Sequence, residues 1–150
     1  MINELTWKES EQKVQKYMKN NGYRILSTNF SCVGVELDII AILPKSVQKK
    51  KMKLETKQRM IEDKKFKSVY KNSLKNALKD VNDLLVITEV KGRENEKYGI
   101  GSDAISEHKK HNIIRGARFL QTQREFEKYQ IRFDVASVDK GVITYIENAF

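Results

Sequence analysis

Residues 35–43 read Val-Glu-Leu-Asp-Ile-Ile-Ala-Ile-Leu, and Pro44 follows them. A run rich in β-branched residues and closed by proline predicts a buried β-strand. Because successive side chains of a strand point to opposite faces, we expect one apolar face to be formed by Val35, Leu37, Ile39, Ala41 and Leu43. The other face then carries two carboxylates beside two isoleucines: Glu36, Asp38, Ile40 and Ile42.

A further strand is predicted from Leu84 to Lys91, with an irregular loop beginning at Gly92, and residues 84–93 read Leu-Leu-Val-Ile-Thr-Glu-Val-Lys-Gly-Arg. On one of its faces apolar side chains give way to charged ones toward one end, in the order Leu85, Ile87, Glu89, Lys91 and Arg93. If the two strands pair, Asp38, Glu89 and Lys91 converge at one edge of the sheet.

Such a cluster has a specific chemistry. Neighbouring carboxylates repel each other and resist the loss of water, and a hard divalent cation such as Mg²⁺ removes both costs. A lysine on the same strand face can contact a phosphate and help the attacking water to lose its proton, as phosphodiester hydrolysis requires. The alternative is a set of surface salt bridges at strand ends. That alternative is favoured for Asp38 alone, but it is the weaker one for Asp38 together with Glu89 and Lys91.

The remaining pattern predicts one α/β domain. Helices are expected over residues 6–20, with a Thr6–Glu9 capping box, and over 103–127, capped by Ser102. Further strands are expected at 23–30, 131–138 and 142–146, with turns at 31–34 and 139–141. The order helix–strand–strand–insertion–strand–helix–strand–strand suggests a single mixed sheet with helices on its faces.

Two charged residues interrupt the apolar stripes of these helices, which costs free energy unless they are partnered. Glu11 could be a further metal ligand or hold a water molecule, and Lys109 could contact a phosphate or orient a carboxylate. Alternatively, both extend to solvent at the rim. Among weaker candidates, we expect exposed histidines at His108 and His111, an ion pair between Arg132 and Asp134, and a buried, inert thiol at Cys32.

The net charge of +9 comes from one segment. Residues 45–82, the basic insertion, hold 13 lysine and arginine residues and 4 acidic ones, and the rest of the chain is neutral. We expect an amphipathic helix at 64–82, whereas 45–63 is expected to be partly disordered. The segment favours a polyanionic partner, nucleic acid first and anionic membrane second, or else it is a solvated lysine-rich helix. Its candidate nucleic-acid contacts are Lys64, Lys65, Lys67, Lys71 and Lys75. In an antiparallel hairpin it emerges away from the carboxylates.

Other classes of protein are disfavoured by composition. One cysteine allows no internal disulfide, and no Cys/His zinc pattern is present. The longest apolar run, Ile39 to Leu43, is too short to span a bilayer, so stable membrane insertion is not expected. The N-terminal residues lack the pattern of a secretory signal, and a cytoplasmic location is therefore expected.

Residues 34–41, Gly-Val-Glu-Leu-Asp-Ile-Ile-Ala, followed by 87–93, Ile-Thr-Glu-Val-Lys-Gly-Arg, resemble the PD-(D/E)xK nuclease signature. The chain more closely resembles the YraN-like family of small bacterial proteins, which are similar to archaeal Holliday-junction resolvases. The resemblance covers nearly everything outside the basic insertion. Departures are Ser10 and Val35, where the family usually has glycine, and the insertion itself.

The resemblance implies a restriction-endonuclease-like α/β fold and a metal-dependent endonuclease acting on DNA, with branched or damaged DNA as candidate substrates. It implies Asp38 and Glu89 as ligands of Mg²⁺ or Mn²⁺, the Val90 carbonyl as a candidate third ligand, Lys91 as the catalytic lysine and Glu11 as an accessory acid. Lys109 and Arg93 join the candidate nucleic-acid contacts. RNA stays open as a substrate, as does a non-catalytic nucleic-acid-binding module. Because related resolvases act as dimers, a homodimer is the candidate assembly.

Overall fold

The computed structural model describes residues 6–92 and 105–150. Its helices and strands are α1 (Trp7–Asn20), β1 (Arg24–Cys32), β2 (Val35–Leu43), α2 (Lys45–Glu62), α3 (Lys67–Lys79), β3 (Leu84–Gly92), α4 (Glu107–Gln121), β4 (Gln130–Asp139) and β5 (Val142–Ile146). A short 3-10 turn, Lys64–Phe66, joins α2 to α3. The predicted order of elements is confirmed. None of these helices is both long and apolar enough to cross a lipid bilayer.

The strands form one mixed sheet in the order β1-β2-β3-β4-β5. Only β3 and β4 are parallel, and the other neighbours are antiparallel. Parallel neighbours need a crossover connection, and α4 lies in that connection. Both hairpins turn through two residues with positive φ, Val33-Gly34 and Lys140-Gly141, as type I′ turns require.

Two apolar clusters cover the two faces of the sheet. On one face α1 contributes Val14 and Met18 to a cluster with Ile39, Ala41 and Val86. On the other face α4 packs against β2 and β3 through a second cluster that contains Ile113, Ala117, Leu120, Ile40 and Leu85. The helices therefore lie on both faces, which confirms the predicted layers of the mixed α/β architecture.

The predicted faces of β2 are wrong at its first residues. Leu37 belongs to the cluster with Ile40 and Ile42, and a β-carbon on Gly116 of α4 would lie 3.0 Å from side-chain atoms of both Leu37 and Val35. Alternation therefore breaks at Asp38. At the break, the Asp38 carboxylate accepts a hydrogen bond from the Val90 N–H of the neighbouring strand β3.

The ends of the helices depend on their caps. Thr6 caps α1 in the predicted capping box with Glu9. The long helix is shorter than the predicted 103–127: Ser106, not Ser102, caps α4 by accepting a hydrogen bond from the Lys109 N–H at 3.1 Å. The predicted cap, Ser102, lies outside the described residues. At the other end, the Thr122 hydroxyl donates to the Phe119 carbonyl at 2.6 Å, a local bond that competes with further helix.

The basic insertion is a helical hairpin, so the expectation of partial disorder in 45–63 is wrong. α2 packs along α3, and half-buried residues recur at helical spacing in each: Met52, Thr56 and Met60 in α2, and Tyr70, Leu74 and Leu78 in α3. This apolar strip is narrow and lies among lysines, which is why composition alone suggested disorder. The partner helix supplies the burial that stabilises such a segment.

The base of this hairpin is anchored to the sheet. The Gln48 side chain donates to the carbonyls of Leu43 and Asn82 at 3.1 and 2.7 Å, and the Lys45 N–H donates to Asp83 at 2.7 Å. Because β2 and β3 are antiparallel and pair at Leu43–Leu84, the hairpin leaves the sheet about five residues, or roughly 17 Å, from Asp38 and Glu89. The predicted direction of the insertion is confirmed.

Candidate active site

The site begins where β2 and β3 separate. The last residue pair of their ladder is Ile39–Thr88. Beyond it, the Val90 N–H donates to Asp38 Oδ2 at 2.8 Å, so a carboxylate occupies the place of the next strand contact. Asp38 is 5% exposed there. The Val90 backbone that it contacts is itself paired with Ala136 of β4.

Glu89 is the second buried carboxylate, at 6% exposure, and it is close enough for its charge to act on Asp38. Burial raises the pKa of Asp38 to about 7, with the negative charge of Glu89 as the next cause, while the Val90 N–H and the positive charge of Lys109 oppose the rise. Near neutral pH the pair therefore carries a proton for part of the time. Asp38 and Glu89 are brought together as the strand pattern predicted.

Lys109 of α4 reaches this pair from the second face of the sheet. Its Nζ lies 3.2 Å from Glu89 Oε1, and the lysine side chain stays nearly half exposed. Of the roles considered for Lys109, contact with a carboxylate is the one seen in this geometry. The interrupted apolar stripe of α4 is thereby explained, because the charge has a partner.

Lys91 belongs to the same electrostatic neighbourhood. It is half-buried, two residues after Glu89 on β3. Burial lowers the pKa of the Lys91 ammonium below its usual value, the charge of Lys109 lowers it further, and the charge of Glu89 opposes both. Lys91 therefore lies in the electrostatic field of Glu89 and Lys109, next to the predicted pair of acids. Arg93, which was predicted nearby, lies outside the described residues.

Glu11 points inward from α1, as its stripe predicted, and is buried. The Asn29 Nδ2 donates to both of its carboxylate oxygens, at 2.9 and 3.3 Å. Burial raises the pKa of Glu11, the Asn29 hydrogen bond opposes this, and the negative charges of Asp38 and Glu36 raise it further. The charge of Asp38 therefore acts on Glu11, which approaches from the α1 face of the sheet.

Asn29 also belongs to this site, although it was not among the predicted site residues. It lies on β1 between the pairs Thr28–Ile39 and Phe30–Leu37, and is therefore opposite Asp38. Its φ of 50° is left-handed, a conformation that asparagine adopts more readily than most residues. An asparagine inside a predicted strand was the available signal.

The donor set suits a hard cation. Asp38 and Glu89 supply two carboxylates, and the predicted third ligand is the Val90 carbonyl. Within residues 6–92 and 105–150, no three histidine, cysteine, aspartate or glutamate side chains converge as a metal cage. Mg²⁺ commonly takes only one or two carboxylates and completes its octahedron with water and phosphate oxygens. The residues present fit that pattern.

The other candidates lie apart from this cluster. His108 and His111 are exposed, as expected. Arg132 pairs with the fully buried Asp134 at 2.7 Å, which confirms the predicted ion pair. Cys32 is only half-buried, which corrects the expected buried thiol, and its pKa is raised by desolvation. The predicted phosphate contacts of the insertion are all exposed: Lys64, Lys65, Lys67, Lys71 and Lys75.

Comparison with known sequences assigns the chain to a family. Residues 10–138 match the family described as uncharacterised protein family UPF0102. A UPF0102 protein of Persephonella marina is 30% identical over 150 residues, covering 100% of this chain and 97% of that protein. Relatives from Clostridium acetobutylicum and Alkaliphilus oremlandii are 29% and 31% identical, each over 93% of this chain and over 88% and 92% of their own lengths. The chain therefore belongs to the UPF0102 family, which is the YraN-like family that the sequence resembles.

Proposed function

We propose that this protein is a Mg²⁺- or Mn²⁺-dependent endodeoxyribonuclease with a restriction-endonuclease-like fold. The observation that carries the proposal is the buried Asp38–Glu89 pair at the point where β2 and β3 separate, with Lys91 on the same strand as Glu89. Strand-end salt bridges would leave the two acids apart and solvated. Here both are nearly inaccessible to water, and the charge of Glu89 acts on Asp38.

A divalent cation explains why two acids are buried together. Without one, burial and mutual repulsion hold a proton on the pair, as the raised pKa of Asp38 indicates. Asp38, Glu89 and the Val90 carbonyl would hold the cation. When bound, it would stabilise negative charge on the scissile phosphate and lower the pKa of a water molecule.

The two lysines have separable roles in the proposal. Lys91 has a lowered pKa, so its amine is closer to the neutral form that can accept a proton from the attacking water. Lys109 neutralises Glu89 in the absence of substrate, and its half-exposed ammonium can turn to a substrate phosphate. Glu11, held by Asn29, would position a water molecule from the α1 face.

The basic insertion supplies nucleic-acid affinity. Its 13 basic residues emerge from the far end of the β2–β3 pair, so they contact phosphates outside the active site. Such contacts carry no sequence preference and depend steeply on salt.

A cleavage panel tests the proposed activity. Linear, nicked, flapped and four-way DNA are incubated with Mg²⁺ or Mn²⁺, and Asp38→Asn and Glu89→Gln serve as matched variants. We expect metal-dependent endonucleolytic products from at least one substrate and none from either variant. Equal products from the variants would show that the activity does not belong to this site.

A non-catalytic nucleic-acid-binding module is the second candidate. The observation that favours it is the Lys109–Glu89 ion pair at 3.2 Å, which neutralises one acid without any metal. Calorimetric titration with Mg²⁺ or Ca²⁺ separates the two functions. Metal binding that Asp38→Asn abolishes supports the nuclease, whereas DNA binding without any metal binding at millimolar concentrations supports the module.

A further inference from the structure

The only tryptophan of the chain, Trp7, packs against the end of β3, the strand that carries Glu89 and Lys91. It is the first residue of α1, and its ring passes 3.7 Å from the position that a β-carbon on Gly92 would occupy. Gly92 directly follows Lys91 on β3. The indole therefore lies against the end of the strand that carries Glu89 and Lys91.

Solvent exposure falls abruptly along the first turn of α1. Trp7 is 46% exposed, whereas Ser10 and Glu11 are buried. Glycine at position 92 allows α1 to pack closely on β3, because a β-carbon there would lie only 3.5 Å from the Ser10 Oγ. The end of β3 lies against the indole, and nearly half of Trp7 stays exposed to solvent.

A single exposed apolar residue is ordinary on a protein surface. The place of Trp7 gives it a different significance, because it stands at the end of β3 that carries Glu89 and Lys91, one turn of α1 before Glu11. An aromatic face offers every nucleobase a stacking partner without regard to sequence. In an intact duplex the faces of the bases are already covered by their neighbours, and uncovering one costs unstacking free energy.

We propose that Trp7 stacks on an unpaired nucleobase next to the scissile phosphate, so that the protein prefers DNA with unpaired nucleotides to continuous duplex. The inference rests on the proposed nuclease function and specifies its substrate class. Gapped, flapped and bubble-containing DNA are the members of that class.

The test uses Trp7 itself as the reporter, because no other tryptophan contributes to the fluorescence. The full chain is titrated in Ca²⁺ buffer with a blunt duplex and with the same duplex carrying a three-nucleotide gap. We expect the gapped DNA to quench the tryptophan emission and to bind more tightly, and the blunt duplex to bind with little quenching. Because the Trp7 variants lack this fluorophore, their affinities and that of the native chain are compared by the anisotropy of end-labelled DNA. Trp7→Ala should weaken binding of gapped DNA by roughly tenfold to a hundredfold and leave duplex binding unchanged, whereas Trp7→Phe should retain most of the preference.

Leu26→Ala is the matched control. Leu26 is 41% exposed, nearly as much as Trp7, but it lies near the end of β1 that pairs with Ala41, away from the site and outside the basic insertion. Its loss should leave the ratio of the two affinities unchanged. If Trp7→Ala does not fold by circular dichroism, Trp7→Leu keeps apolar bulk without an aromatic face. Loss of the preference in Trp7→Leu, with retention in Trp7→Phe, then supports stacking.

The outcomes separate this inference from the function on which it rests. Equal quenching by the two DNAs, or an unchanged affinity ratio in Trp7→Ala or Trp7→Leu, would overturn the stacking role and leave the nuclease proposal standing. Failure of the native chain to bind either DNA would overturn the nucleic-acid function, and the stacking role with it.

Discussion

At the scale of single residues, Asp38 has the most consequential environment. It breaks the alternation of β2, accepts the Val90 N–H and lies against Glu89 in a site that water scarcely reaches. Its burial has a free-energy cost in the metal-free protein, because the charged form of a carboxylate is disfavoured there. That cost makes the residue measurable without any substrate.

Metal-free stability should therefore depend on pH through Asp38. Its pKa is about 7 in the folded chain, against an ordinary value of 3.8, so the protonated form stabilises the fold. That contribution is complete below about pH 4 and is lost as the pH rises through 7. Between pH 5 and 8 in EDTA, the free energy of unfolding should fall on the order of 2 kcal/mol further in the native chain than in Asp38→Asn. Urea denaturation measures both, and parallel pH profiles would contradict the assignment.

Lys91 is predicted to act on the rate of cleavage more than on metal binding. Lys91→Ala should lower the rate roughly a hundredfold or more, because proton transfer by a positioned group contributes about that much. Lys91→Arg should not restore the rate, since a guanidinium stays protonated and presents a planar fork. Rates and Ca²⁺ affinities would be measured side by side. Near-native cleavage by Lys91→Arg would contradict the role in proton transfer.

At the scale of elements, the β2–β3 pair carries the acids at one end and the α2–α3 hairpin at the other. The strands hold the acids where their ladder ends, and the hairpin leaves the sheet beyond Leu43 and Leu84. Nucleic-acid affinity and chemistry should consequently respond to different substitutions.

Replacing the five candidate lysines of the hairpin by glutamine should weaken DNA binding and flatten its salt dependence. The set is Lys64, Lys65, Lys67, Lys71 and Lys75, all exposed. The slope of log affinity against log salt should fall by about 0.9 for each phosphate that a lysine no longer neutralises, while turnover at saturating DNA changes little. The control replaces five exposed basic residues elsewhere: Lys16, Lys19, Arg118, Arg124 and Lys128. Equal slopes for the two sets would show that the hairpin is not the principal DNA-binding surface, and anionic vesicles would then be the next ligand to test.

At the scale of the whole molecule, a polar network ties distant segments to the sheet. Asp134 accepts hydrogen bonds from Arg132, the Tyr145 hydroxyl and the Asn148 N–H. Glu147 pairs with both Arg132 and Lys51 of α2, at 3.7 and 3.2 Å. The network therefore links β4, β5, the C-terminal residues and the base of the hairpin.

Arg132→Met should destabilise the fold by about 3–5 kcal/mol, because it leaves the buried Asp134 charge without its cation. The second change Asp134→Asn should recover part of that loss, since it removes the unpaired charge and keeps an acceptor for Tyr145. Thermal or urea unfolding gives both values, and metal affinity is measured at a temperature where each variant is folded. A loss of metal binding in the folded Arg132→Met variant would instead assign this pair to the active site.

Features that depend on neighbouring residues along the chain were determined by the sequence itself. The Thr6–Glu9 cap, the order of elements and the inward direction of Glu11 follow from spacing and capping chemistry. Proximity of the two acids was predicted from the pairing of their strands, although the alternation assumed for β2 breaks at Asp38. The helix in residues 45–63 could not be predicted from the sequence, because its narrow apolar strip is buried only by packing against α3.

Tertiary structure alone decided how the site is built. Three contacts between residues far apart in the sequence form the site: Val90 with Asp38, Asn29 with Glu11, and Lys109 with Glu89. A spacing rule cannot predict them, because each depends on where another segment places a backbone amide or a charge. Asp38 leaves the pattern of its own strand since its carboxylate finds the Val90 N–H, 52 residues away, at the point where the ladder stops.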